Sequence, residues 1–127
     1  MLELIKKDNL FELQYVKHND DIWFRAKQVA DILGYKNSND AIIKHVDMND
    51  KVKISDIFNP REMRCLKGNM KNSLLINESG LYALVLSSKL PSAKQFKNWV
   101  TKDVLPSIRR TGSYSIVDQK NKQQTNV

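Results

Sequence analysis

The apolar positions of the chain change period several times. In LFELQYV (Leu10–Val16), Phe11, Leu13 and Tyr15 alternate with Glu12 and Gln14, the two-residue period of a half-buried strand. The turn cluster His18–Asp21 and the short apolar run Ile22–Phe24 predict a return strand and a hairpin. The period then becomes helical. Ala26, Val29, Ala30, Ile32 and Leu33 form one stripe, and Gly34 supplies a stop. After YKNSND, where Asn37, Ser38 or Asn39 can cap, a second stripe runs through Ala41, Ile42, Ile43 and Val46. Ala26–Val46 therefore reads as helix, short turn, helix, a spacing shared by DNA-binding helix-turn-helix units and by helical hairpins that bind no DNA.

Lys51–Ser55 alternates lysine against Val52 and Ile54 and predicts a strand with a charged face. Asp56–Asn72 has no clean period and contains Pro60 and Gly68, which predicts a long basic loop. Ser73–Asn77 reads as a buried strand, and Glu78–Lys89 as an apolar helix capped by Asn77. A last helix, opened by Pro91 and ended by Gly112, places Ala93, Phe96, Val100, Val104 and Ile108 on one arc. Gln95, Asn98, Lys102 and Arg109 fall opposite. Pro106 must kink or restart it, and Leu105 is expected outside the α region. The polar sequence after Tyr114 predicts a domain over residues 1–114 and a flexible tail or linker over 115–127.

Together these elements predict an α+β fold, a small antiparallel sheet packed with about four helices including the helix-turn-helix-like pair. Composition limits the chemistry. At 127 residues the chain is long enough for one apolar core, and its apolar runs fall short of the roughly 20 residues of a membrane span. The N-terminus lacks a secretory signal pattern, and a single cysteine, Cys65, excludes an internal disulfide and a Cys-rich zinc site. An intracellular protein without a cofactor is the expectation. The net charge of +7 is segregated. Arg61, Arg64, Lys67 and Lys71 oppose only Glu62 within residues 57–72, and Lys89, Lys94, Lys97, Lys102, Arg109 and Arg110 oppose only Asp103 within 89–110. Solubility alone does not require such clustering, and a polyanionic partner does.

No catalytic pattern is present. His18 and His45 are isolated, and the pairs Asp20–Asp21 and Asp47/Asp50 read as turn and capping residues rather than metal ligands. A nucleic-acid surface is better supplied: Lys36, Asn37, Ser38, Asn39, Lys44 and His45 surround the second helix of the pair. Asparagine can bond adenine bidentately, and Ser or Asn at a helix start can hold a phosphate. The same residues could equally be caps and turn formers.

WFRAKQVADILGYKNSNDAIIKHV and LLINESGLYALVLSSKLPSAKQFKNWVTKDVLPSIRRTGSY resemble the BRO-N domain, the N-terminal module of baculovirus BRO proteins and of phage and prophage antirepressors. The resemblance runs from about Leu10 to Tyr114. It implies a DNA-binding module of viral or prophage origin, commonly followed by a variable C-terminal domain. Residues between Ile54 and Ser73 vary in the family, so no role passes to Arg61, Arg64, Lys67 or Lys71. The family pattern falls on Phe96, Trp99, Val100, Val104, Leu105, Pro106, Ile108 and Gly112, which makes the last helix a scaffold with Lys94, Lys102, Arg109 and Arg110 as phosphate contacts.

The expected partner is double-stranded DNA, in the bacterial cytoplasm for a prophage protein or the host nucleus or cytoplasm for a eukaryotic virus. A repressor protein docked on the basic surface is the alternative. A homodimer would suit a regulator with two half-sites, although no interface signature is visible.

Overall fold

The structure is a computed structural model and describes residues 3–7, 11–66 and 68–111. The expected tail, the stop at Gly112 and Lys67 lie outside the described residues. The chain divides into two compact units, one up to Leu90 and one from Pro91.

The first unit is α+β. Strands β1 (Glu3–Lys7), β2 (Phe11–His18), β3 (Asp21–Arg25), β4 (Lys51–Lys53) and β5 (Leu74–Ile76) form one antiparallel sheet in the order β1-β2-β3-β5-β4. The β2–β3 hairpin forms as expected. Asn19 and Asp20 both take positive φ, 51° and 69°, the backbone that a two-residue loop needs to match the twist of its strands. Strand β1, which extends the sheet beyond the hairpin, was not anticipated.

Register sorts the side chains onto two faces. Tyr15 pairs with Phe24 and Phe24 with Ile76, so these three share a face with Leu13 and Ile22. Val16, Trp23, Leu75 and Val52 take the other. Helices α1 (Ala26–Ile32) and α5 (Glu78–Ser87) pack against the sheet, and α2 (Ser38–His45) packs on both of them. Asn77 caps α5 as expected, accepting from the Gly80 N–H at 2.9 Å while its amide donates to Asp50 at 3.1 Å. The helix ends at Ser87 rather than Lys89. Ser88 turns extended, and its hydroxyl donates to the Leu33 carbonyl at 2.8 Å.

Residues 56–72 are not the expected loop. Strand β4 stops at Lys53, and two short helices follow, α3 (Ile54–Ile57) and α4 (Pro60–Arg64), then a 3-10 turn at Gly68–Asn72. Ile54 and Phe58 are buried with Val16 and Leu75, and Ile57, Met63 and Leu66 pack around them. Asn59 and Glu62 form a reciprocal capping box, with Pro60 at the first helical position. The segment thus gives the second sheet face its cover.

In the second unit, Pro91 and Ser92 form a turn and helix α6 starts at Ala93, running to Trp99. A π-helical segment at Val100–Val104 leads into α7 (Leu105–Thr111). Pro106 has no N–H, and its ring crowds the carbonyl one turn back. The wider turn ahead of it, closed by Leu105 N–H to Val100 C=O, accommodates this without a break. Leu105 accordingly stays in the α region at φ −63°, ψ −46°, against expectation. Ala93, Phe96, Val100, Val104 and Ile108 are all buried, together with Trp99 and Leu105.

Helix α1 ends in a double-bonded turn. Tyr35 N–H donates to Ala30 C=O and Gly34 N–H to Asp31 C=O, with Gly34 at φ +81° and its would-be Cβ 3.2 Å from Leu90. Gly34→Ala is therefore expected to lower stability by about 1–2 kcal/mol in a urea titration. An unchanged midpoint would contradict the turn.

Candidate nucleic-acid interface

The turn at Gly34 aims the chain into α2, and local chemistry then fixes the start of that helix. Asn37 is the cap: its side-chain oxygen accepts from the Asp40 N–H at 3.0 Å. The Ser38 hydroxyl donates to the Asp31 carboxylate on α1, which also binds Lys27 at 3.0 Å. Burial pushes the Asp31 carboxyl up. The hydrogen bonds from Ser38 and Lys27 and the charges of Lys27 and Arg25 outweigh this and hold it below its usual range. Asn37 and Ser38 thus serve as cap and helix link, the second of the two roles open in the sequence. Lys44 pairs with Asp40 at 3.0 Å one turn back. Asn39, by contrast, is exposed and its side chain makes no hydrogen bond with any described residue.

Asn39 stands at the rim of a cationic depression. Arg25, Lys27, Asn39 and Ile42 line one part of it with Asn72, Ser73 and Leu74. Asn72 and Leu74 also line an adjoining part with Lys53, Ser55 and Lys71. Arg25 on β3 pairs with Leu75 and Lys53 on β4 pairs with Leu74, so the two cations stand on the strands either side of β5, on opposite faces of the sheet. Arg25 is held by Gln14, whose side-chain oxygen accepts from its guanidinium at 2.8 Å and from Gln28 at 3.0 Å. Burial lowers the Arg25 pKa and Asp31 opposes the shift. Lys53 and Lys71 pair with no carboxylate among the described residues. No Asp or Glu lines either part.

The other sequence-derived candidates lie elsewhere. Lys36 and His45 line a second hollow with Tyr35 and Lys89, where the Tyr35 and His45 rings lie 5.8 Å apart and Tyr35 donates to the Leu84 carbonyl at 2.7 Å. Arg61 and Arg64 are exposed on α4 and line neither part of the depression. Lys94, Lys102, Arg109 and Arg110 are exposed on the second unit. Of the fourteen candidates Asn39 lines the first part and Lys71 the second, while Arg25, Lys27, Lys53 and Asn72 were missed.

Comparison with known proteins resolves the family. The profile of the BRO family N-terminal domain matches residues 12–106. The chain belongs to the BRO family. A Bro-N domain-containing protein of invertebrate iridescent virus 6 is 41% identical over 110 residues, covering 79% of this chain and 26% of that protein. A second Bro-N domain-containing protein of the same virus is 38% identical over 109 residues, covering 76% and 26%. An uncharacterized protein of Haemophilus influenzae is 35% identical over 100 residues, covering 79% and 46%. The chain thus spans about a quarter to a half of the length of these relatives. No solved structure matches it. Among the described residues no helix is long and apolar enough to cross a membrane.

The two neighbouring asparagines of this Bro-N domain should separate on mutation. Asn37→Ala is expected to cost about 1 kcal/mol of stability through the lost cap, and Asn39→Ala under ~0.5 kcal/mol, both read by chemical denaturation. Equal losses would refute the assignment of cap and free side chain. Asp31 makes a pH-dependent contribution. Because its folded pKa is depressed, its stabilisation is present above the unfolded value of about 4 and is lost as pH falls through the folded value. Asp31 is half exposed, so Asp31→Asn should cost under ~1 kcal/mol at neutral pH. Wild type and variant should converge in acid, and a gap that persists there would contradict the ion pair.

Proposed function

We propose that this Bro-N domain binds duplex DNA, as a regulatory module of viral or prophage type, with the depression between α2 and β5 as its principal contact. The supporting observation is a pair of hollows that share Asn72 and Leu74 and have no lining carboxylate, one holding Arg25 and Lys27 beside the unbonded side-chain amide of Asn39, the other Lys53 and Lys71. Cations neutralise phosphates and release counterions, which supplies affinity without sequence preference. A polar side chain next to them supplies the means of reading a base. Lys36, Lys44 and His45 extend the polar surface of the helix pair. Arg61, Arg64, Lys94, Lys102, Arg109 and Arg110 offer further phosphate contacts. The last helix positions rather than reads, since its apolar arc is buried and its cations are all peripheral.

Fluorescence-anisotropy titration of a random duplex at several salt concentrations tests this. Lys53→Ala, Lys71→Ala and the pair Arg109→Ala/Arg110→Ala should weaken binding equally on all sequences. Each lost contact should reduce the slope of log K against log salt by about one. Failure to bind any duplex at low salt overturns the reading and leaves docking to an acidic repressor surface as the alternative.

A further inference from the structure

Helix α2 buries Ala41 and Ile42, yet the next residue, Ile43, is 73% exposed. Ile43 lies four residues after Asn39, so the two side chains stand on one face of the helix, about 5–6 Å apart at Cβ. Asn39 itself lines the cationic depression. The remaining exposed charges of this helix face are Asp40 and Lys44, which neutralise each other across one turn at 3.0 Å. An amide and a branched apolar side chain therefore project beside a phosphate-binding surface, with the intervening carboxylate compensated.

From this we infer that the Asn39–Ile43 face of α2 reads A·T base pairs in the major groove, Asn39 bonding adenine and Ile43 covering the thymine methyl group. The inference rests on the duplex-DNA reading above. The major groove admits an α-helix, and it is where a thymine methyl is displayed. Asparagine matches the adenine N6 donor and N7 acceptor, and an apolar side chain complements the methyl group. The separation of the two side chains is between one and two base-pair steps of about 3.4 Å, so they reach base pairs one or two steps apart. A bulky isoleucine left in water contributes nothing to the core, whereas against a methyl group it removes apolar surface from both partners.

Three duplexes of equal length test the assignment: alternating dA·dT, the same duplex with deoxyuridine in place of thymidine, and alternating dG·dC. Uracil keeps every hydrogen-bonding group of thymine and lacks only the methyl. Wild type should prefer the thymidine duplex over the deoxyuridine duplex by about fourfold per covered methyl. Ile43→Ala should abolish that preference and leave affinity for the deoxyuridine duplex unchanged. Asn39→Ala should narrow the preference for dA·dT over dG·dC. Equal binding of the thymidine and deoxyuridine duplexes by wild type overturns the inference while leaving the DNA reading intact, as does a thymidine preference that survives in Ile43→Ala. Absence of binding to all three overturns the parent reading. Sedimentation separates the competing occupant: a wild-type dimer that Ile43→Ala converts to monomer, with duplex selectivity unchanged, would assign the face to a second copy.

Discussion

The pairing of the three-residue strand β5 between β3 and β4 is the constraint on which the first unit depends. Leu75 and Ile76 are fully buried and face opposite sides of the sheet, so this short strand contributes to the packing of both. Its beginning receives the Ile54 N–H on the Ser73 carbonyl at 3.0 Å, which ties down the start of α3. Its end runs into Asn77, whose side chain caps α5 and bonds Asp50. Without β5 there would be no hydrogen-bonded neighbour for β4. Because the pleat has a period of two, a one-residue slip would exchange Leu75 with Leu74 and unpack both faces together.

The same register sets the electrostatics. Arg25 and Lys53 belong to segments far apart in sequence and are brought to either side of β5 because each strand pairs with it. Lys71 and Asn72 arrive from the turn immediately before that strand. On the helical side, the Lys27–Asp31–Ser38 link joins α1 to the first residue of α2 and places Asn39 at the rim. That link consumes one cation. Of the four positive side chains in the depression, Lys27 is matched by a carboxylate and Arg25 feels the same one, while Lys53 and Lys71 are unmatched. The field of the surface thus comes mainly from the β4 and β5 side, and its polar group from the α2 side.

What the sequence made legible was local. Periodicity exposed the β2–β3 hairpin, both helices of the pair and α5, because each is long enough to show its period or carries its own stop, as at Gly34. The α3–α4 segment was illegible as structure because its two helices span only four and five residues, too short for a stripe to stand out. The signal was nonetheless present in the cap sequence Asn59-Pro60-Arg61-Glu62 and in Ile54, Ile57 and Phe58 at helical spacing. For the site, charge counting by segment found Lys71 and passed over Arg25, Lys27 and Lys53, since their own segments are nearly neutral. A cluster assembled by sheet register leaves no trace in a linear charge count. Within YKNSND the sequence could not apportion roles among Asn37, Ser38 and Asn39, because a cap, an interhelical hydrogen bond and a free amide all use the same residue types.

On the proposed DNA-binding reading, the contrast between α2 and the α6–α7 helix separates base reading from cationic density. The helix from α6 to α7 carries more positive side chains, yet its apolar arc is buried and its backbone is shaped by Pro106 and the π turn. Its cations stand on long stems suited to following a phosphate chain. Helix α2 is nearly neutral: Asp40 cancels Lys44, and Asn39 and Ile43 are exposed beside them. On the proposed reading, the nearly neutral face of α2 leaves phosphate contact to the cations beside it. On that reading, the cations lining the hollows beside α2 and the weakly charged side chains on the helix are complementary parts of one proposed surface.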